Sequence, residues 1–232
     1  MGKNKICKVI AISVVLFLSV YLFVMEEVEY RGNNKVVSTE EENTTFTQDS
    51  INYKLNKENK TATVIRSKIS VASLEIPSTI TVEGEDYSVI AIEERAFSAT
   101  DSLKTIVIKD GVKTIENLAF AWCNSLECIE IPESVESIGY DVLEGNYRLK
   151  KIVVDDNNKV YYSSFEDQEY NAVIEKESAK LIVGCKETII PNTVKTIGKE
   201  AFYECRSLSS IIILLSILFS YLCFIRTMHI AE

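Results

Sequence analysis

LAFAWCNSLECIEIPESVESIG, residues 118–139, decides the fold of this chain, because its skeleton recurs on both sides at a fixed step. Isoleucine stands at 92, 115 and 138, and leucine at 103, 126 and 149. Isoleucine returns at 106, 129 and 152, while Phe97, Phe120 and Leu143 share a further column. Each step is 23 residues. A period of about 20–50 residues marks a solenoid, in which no unit buries its apolar face alone and stacked neighbours bury it for each other. In L-x-x-I-x-I, the side chains of Leu126, Ile129 and Ile131 point inward from a short extended rung, and Glu127, Cys128 and Glu130 face solvent. Pro132 ends the rung, since it has no N–H for a ladder.

All three prolines, Pro77, Pro132 and Pro191, follow an isoleucine at this one place in the repeat. The segments Ile131-Pro132-x-x-Val135-x-x-Ile138-Gly139 and Val194-x-x-Ile197-Gly198-x-x-Ala201-Phe202-x-x-Cys205-x-x-Leu208 resemble the BspA-like (Treponema-type) leucine-rich repeat family. The resemblance covers about residues 51–213. It implies a β-rich leucine-rich-repeat solenoid with a short parallel sheet on one face, turns and short helices on the other, and β-hairpin insertions. It also implies a surface or secreted protein of a bacterium or protist, acting in adhesion or in binding host or matrix proteins. The expected repeat core is Ile92, Phe97, Leu103, Ile106, Ile115, Phe120, Leu126, Ile129, Ile138, Leu149, Ile152, Ile197, Phe202 and Leu208.

Two interruptions break the period. Ile76-Pro77 lies 16 residues before Ile92, whereas Ile131-Pro132 lies 7 before Ile138, and the surplus of nine around Glu83-Gly84-Glu85-Asp86 reads as a looped or hairpin insertion. The third repeat has Val142-Leu143 in place of Ala-Phe and Asn146 in the column of Cys123 and Cys205. Ile138 and Ile197 are then 59 residues apart, which places an insertion at about 155–187 with a hairpin through Ala172–Ile174 and Leu181–Val183. Order is expected to begin near Ile51, with a hairpin over Ile51–Ile65 that covers the first repeat's open end.

Both chain ends are apolar. Lys3, Lys5 and Lys8 precede seventeen residues, Val9–Met25, broken only by Ser13 and Ser19, and Glu26, Glu27 and Glu29 follow. That order of charges puts the N-terminus in the cytoplasm and the rest outside. Residues 1–25 are read as an uncleaved signal anchor, with a cleaved signal peptide as the alternative. Residues 26–50 read as a polar spacer, too poor in apolar groups to fold alone. Residues 208–226 run from a normal rung into an apolar segment, with Leu214 where a proline is expected. This is read as a second transmembrane helix, or as the mark of a truncated or frame-shifted array.

Composition excludes several functions. Residues 26–207 hold 33 Asp and Glu against 21 Lys and Arg, a surface that repels phosphate backbones and so argues against nucleic acid as a partner. The only histidine is His229, beyond the repeats, which removes Ser-His and Cys-His catalysis from the solenoid. No zinc-ligand spacing or phosphate-cradling glycine loop is present, and Asp155-Asp156-Asn157-Asn158 reads as a solvated turn rather than a calcium loop. No cofactor, metal or catalytic residue is expected. A surface hydrolase would need a cleft joining Asp and Glu from several repeats. Cys123 and Cys205, two repeats apart at about 4.8 Å per rung, lie beyond the roughly 7 Å Cα separation a disulfide spans, so no disulfide framework is expected.

The expectation is therefore a non-enzymatic, membrane-anchored surface protein that presents a solenoid to an unidentified protein or matrix ligand. The candidate binding face consists of Lys104, Thr105 and Val107; Glu127, Cys128 and Glu130; and Lys150, Lys151 and Val153. Its charges alternate from rung to rung, as either a binding stripe or cross-strand pairing would require, and pairing is favoured. Trp122, on the turn side, is either an exposed anchor or packed.

Overall fold

The computed structural model describes residues 44–203 and 205, with the backbone of 212–213. The strands in chain order are β1 (Thr44–Gln48), β2 (Ile51–Asn56), β3 (Thr61–Ile65), β4 (Ser73–Ile76), β5 (Thr79–Val82), β6 (Glu85–Ile92), β7 (Thr105–Ile108), β8 (Thr114–Ile115), β9 (Cys128–Ile131), β10 (Ser137–Ile138), β11 (Lys151–Val154), β12 (Tyr161–Phe165), β13 (Gln168–Glu175), β14 (Lys180–Gly184), β15 (Ile189–Ile190), β16 (Thr196–Ile197) and β17 (Ile212–Ile213). The expected segments at 1–25 and 208–226 lie outside the described residues, apart from the β17 backbone. Among the described residues no helix is long and apolar enough to cross a membrane.

The 23-residue step is a backbone register. In one parallel ladder Ile106 pairs with Ile129 and Ile129 with Ile152; in a second, Ile92 pairs with Ile115 and Ile115 with Ile138. Ile189 and Ile190 pair with Ile212 and Ile213 at the same step. Each repeat thus contributes a four-residue rung (β7, β9, β11) and a two-residue rung (β8, β10) on the return path, with the core between them. Phe97 and Phe120 stack with ring centroids 5.5 Å apart and planes 1° from parallel, so one column runs continuously through two repeats. The short helices expected opposite the sheet are not found: among the described residues that side is built of turns and the second ladder. The turns hold left-handed residues at two fixed places, Arg95, Leu118, Asp141 and Glu200 at one and Ala99, Trp122 and Gly145 at the other. Such tight reversals leave no room for a helical turn.

Of the expected core, Ile92, Phe97, Leu103, Ile106, Ile115, Phe120, Leu126, Ile129, Leu149, Ile152 and Phe202 are buried. Ile138 and Ile197 are only partly buried, and Leu208 lies outside the described residues. Ile138 ends its ladder at the insertion, where its N–H donates to the Tyr161 hydroxyl (3.1 Å) rather than to a following rung.

Order begins earlier than expected. Thr44–Gln48, assigned to the polar spacer, forms β1, because five backbone pairings to β2 and a packed Phe46 suffice to order an edge strand. The nine-residue surplus is the β5–β6 hairpin, in which Val82 pairs with Glu85 around Glu83-Gly84. That turn, Asp49-Ser50 and Glu166-Asp167 all have positive φ at both central residues, the type I′ geometry that matches strand twist.

The second interruption is larger than the single hairpin expected. β12 joins the β13–β14 hairpin to make a three-stranded antiparallel meander, and β14 then pairs in parallel with β16. This copies the start of the array, where β1–β2–β3 is followed by parallel pairing of β3 with β6. The two copies share four-residue loops, Lys57–Lys60 and Lys176–Ala179, that end in left-handed Lys60 and Ala179. Each then leads into similar sequence, Ile76-Pro77-Ser78-Thr79-Ile80 and Ile190-Pro191-Asn192-Thr193-Val194. Strand β13 separates two cores. Val173 packs into the core that begins at Ile51, while Ala172 and Ile174 pack with Leu181, Val194 and Phe202. A strand buried on both faces needs no polar alternation.

Asn146 is the hinge of the altered third repeat. Its side chain is buried, accepts from the Cys123 N–H (2.7 Å) and donates to the Phe120 carbonyl (3.0 Å). The Cys123 thiol makes the equivalent bond to the Phe97 carbonyl (3.2 Å), so this column selects small donors that reach the preceding rung. Asn146→Ala leaves two buried backbone groups unpaired and is expected to lower stability by about 2–4 kcal/mol, read as a lower thermal unfolding midpoint. In the second block, a Cβ on Gly184 would lie 2.2 Å from the Phe202 ring, so Gly184→Ala is expected to destabilise by about 1–3 kcal/mol in the same measurement.

Candidate functional site

The parallel sheet β11–β9–β7–β4 presents the residues expected to form a binding face. Register places Thr105, Cys128 and Lys151 in one row with Ser73, and Val107, Glu130 and Val153 in another with Glu75. Lys104, Glu130, Lys150 and Lys151 are exposed; Thr105, Val107, Glu127, Cys128 and Val153 are half-buried. The charges pair largely among themselves. Lys150 meets Glu127 at 2.8 Å, Lys109 meets Glu75 at 3.1 Å, and Lys151 meets Glu169 of β13 at 3.0 Å. Lys150 holds the Glu127 carboxyl below the usual carboxylate range. Both members of each pair are solvent-exposed, so the pairing aligns side chains without holding the fold together.

Trp122 is both packed and exposed. Its left-handed backbone turns the indole onto Gly145 of the next repeat, where a Cβ would sit 2.3 Å from Trp122 Cδ1. Gly145, itself at φ 72°, is thus required by the contact as well as by its conformation. Asn157 and Asn158 likewise have structural duties. Asn158 is fully buried and bonds Pro132 and Val135 carbonyls and the Val160 and Tyr161 N–H groups, while Asp155 accepts from Asn157 N–H (2.9 Å). Among the described residues no group of three or more His, Cys, Asp or Glu side chains is placed to hold a metal.

A feature that sequence reading missed lies between the third and fourth repeats. The turns of these repeats and the end of β14 enclose a cavity of about 210 Å³. Asp141, from the third repeat, and Glu200, from the fourth, face each other in it, with exposed Tyr140 and Tyr203 alongside. Burial, followed by the neighbouring Glu200 carboxylate, pushes the Asp141 carboxyl above its ordinary range. Asp141 and Glu200 occupy the same repeat column 59 residues apart, but the insertion hides their adjacency. This is a cleft that joins Asp and Glu from two repeats. Two carboxyls in direct contact, however, leave no space for the substrate bond and water that glycoside hydrolysis places between them.

Cys123, Cys128, Cys185 and Cys205 are free. Burial pushes the Cys123 and Cys185 thiols up to about 11 and Cys205 to about 12, so all three stay protonated and weakly nucleophilic near neutral pH.

The Asp141 environment has a pH signature. A carboxyl raised in the folded state keeps its proton after the unfolded chain has lost it, so stability falls as pH rises from the ordinary carboxylate value through the raised one. Asp141→Asn is expected to be more stable than the parent at pH 7, with the difference vanishing toward pH 3. Denaturant midpoints across that range check it, and equal midpoints at pH 7 would refute it.

The sequence matches the family described as the BspA type leucine-rich repeat region, in six copies, over residues 67–185 and 173–224. A comparison with curated proteins finds no significant match. Among solved structures, a leucine-rich repeat protein from Bacteroides ovatus is 28% identical over 73% of this chain, with a TM-score of 0.52. This chain spans 41% of the length of that protein. A leucine-rich repeat protein from T. pallidum is 21% identical, covering 72% of this chain and 71% of its own, with a TM-score of 0.46. The parallel rungs at a 23-residue register and the family match over most of the repeats lead to one conclusion: the chain belongs to the BspA-type leucine-rich repeat family.

Proposed function

We propose that this protein is a membrane-anchored, non-enzymatic surface protein whose parallel sheet binds another protein or a matrix ligand. The observation that carries the reading is the sheet face itself. Val107 and Val153 stand half-exposed on either side of Glu130, in a row one side chain deep across β7, β9 and β11. Of the charges around them, Lys109, Lys150 and Lys151 are each paired with a carboxylate, Glu75, Glu127 and Glu169. A partner would therefore meet apolar patches framed by pre-paired charges, which cost less to desolvate than isolated ions. The N-terminal order of lysines, apolar run and glutamates supports presentation of this face outside the cell. Buried, protonated thiols and the absence of histidine from the repeats support a non-catalytic role.

The test is surface labelling of intact cells expressing the full chain, coupled to capture of extracellular matrix proteins. Wild-type chain is expected to be labelled and to capture a ligand, and Val107→Glu/Val153→Glu to be labelled equally but lose capture by about tenfold or more. Absence of labelling, or capture indifferent to this substitution, would sink the proposal.

A further inference from the structure

The cavity between the third and fourth repeats is a place where the array's own backbone ladder is broken. In the first repeat, the N–H groups of Arg95, Phe97 and Ala99 donate to the carbonyls of Asn117, Ala119 and Ala121, at 2.9–3.1 Å. In the second, Leu118, Phe120 and Trp122 donate to Tyr140, Val142 and Glu144, at 2.6–3.1 Å. The equivalent donors of the third repeat are Asp141, Leu143 and Gly145, and among the described residues no acceptor takes up their N–H groups. The segment that lies opposite them cannot do so. Strand β14 is committed to β13 and β16, and the Ala201 carbonyl is already taken by the Gly184 N–H (2.8 Å). Three donors at two-residue spacing, of which Asp141 and Leu143 belong to residues that line the cavity, are the edge of a ladder without its next strand.

Side chains narrow the identity of the missing strand. Asp141, Glu144 and Glu200 face the cavity against Lys180 and Lys199, and Lys199 is drawn to Glu200 at 3.2 Å while its side chain remains largely in solvent. Among the described residues the one cation acting on both Asp141 and Glu200 is Lys199, which reaches Glu200 from solvent and leaves the Asp141 carboxyl raised. An ammonium or guanidinium placed between them donates to both carboxyls and offsets their mutual repulsion. We propose that this cleft binds an extended, basic peptide segment, whose carbonyls accept from the Asp141, Leu143 and Gly145 N–H groups and whose Lys or Arg side chain lies between Asp141 and Glu200. Strand addition of this kind draws affinity from the main chain and selectivity from the alternate side chains. The site is separate from the sheet face and does not depend on its ligand.

The probe is a fluorescent, end-capped hexapeptide alternating threonine and lysine, titrated into the full chain in detergent, with the threonine–glutamate hexapeptide and lysine methyl ester as controls. The lysine hexapeptide is expected to bind and to slow amide hydrogen exchange in residues 138–149 by about tenfold or more, leaving the β7 and β9 rungs unchanged. Asp141→Asn/Glu200→Gln is expected to weaken it by at least about tenfold. Because Asp141→Asn removes a carboxyl that burial and Glu200 disfavour, loss of folding does not explain such a result, and an unfolding midpoint at pH 7 no lower than the parent's confirms it. Equal binding of the glutamate peptide, equal protection by lysine methyl ester, protection confined to other segments, or indifference to the double substitution each overturns the proposal. The sheet-face substitution Val107→Glu/Val153→Glu leaves peptide binding intact, so failure here and failure of the surface-binding reading are told apart.

Discussion

Each rung of this solenoid is two to four residues long, and its backbone partners lie in other repeats. A strand that short has no independent stability; what holds it is the simultaneous satisfaction of N–H and C=O groups at a 23-residue register on both sides. The apolar columns follow from that register. Ile106, Ile129 and Ile152 superpose because their backbones pair, and the pairing is favourable because the superposed side chains exclude water. The turns add a third set of inter-repeat bonds, made possible by residues held at positive φ. Arg95 and Leu118 accept that unfavourable conformation, of order 1 kcal/mol each, because the alternative is to lose the bonds their N–H groups make to Asn117 and Tyr140 of the next repeat.

A chain built this way has trouble at its ends and nowhere else. The first rung cannot be satisfied by a predecessor, and the three-stranded meander β1–β2–β3 supplies one, down to the Ser67 N–H that donates to Ala96 just as Gly184 donates to Ala201. The insertion after the third repeat is the same device used a second time. It starts a new block, with its own core on the far side of β13, rather than continuing the old one. The consequence falls on the third repeat, whose β10 end is closed by a tyrosine hydroxyl and whose β11 end by Ser163, which accepts from Val154 N–H at 2.7 Å. Its turn is closed by neither, and the cavity is what remains.

Where sequence and structure agree, one repeat interacts with the next at constant spacing, so a column of letters is also a column of contacts. Ile92, Ile115, Leu103 and Leu126 were legible for that reason, as was the Glu83-Gly84 hairpin, visible as a count that failed to match. β1 was not legible, because an edge strand needs little apolar content once it has a backbone to pair with. β12 was missed because Tyr161–Phe165 has its aromatic residues without clean alternation, and its partner strand is buried on both faces. The helices expected opposite the sheet failed on backbone geometry, since sequence columns specify which side chains point inward but not how tightly the chain turns. Asp141 and Glu200 were invisible among 33 carboxylates, because their proximity depends on how an insertion folds.

The same reasoning ranks the surfaces by what they can say about function. A feature that repeats with the array has a sufficient cause in the array. Lys150 beside Glu127, Lys113 beside Glu136 and Asn124 beside Asp101 are all 23 residues apart, and each is what neighbouring rungs would select for their own alignment. Salt and solvent weaken such exposed pairs, so their regularity is poor evidence for a partner. Features that break the period have no such cause. Val107 and Val153 leave apolar surface where polar residues would serve the sheet equally well. The Asp141–Glu200 contact sets two carboxyls against each other where any neutral residue would stack better, and the adjoining amides find no acceptor among the described residues, unlike the equivalent amides of the first two repeats. Stacking alone does not account for these, which is why both proposals rest on them rather than on the repeating pairs.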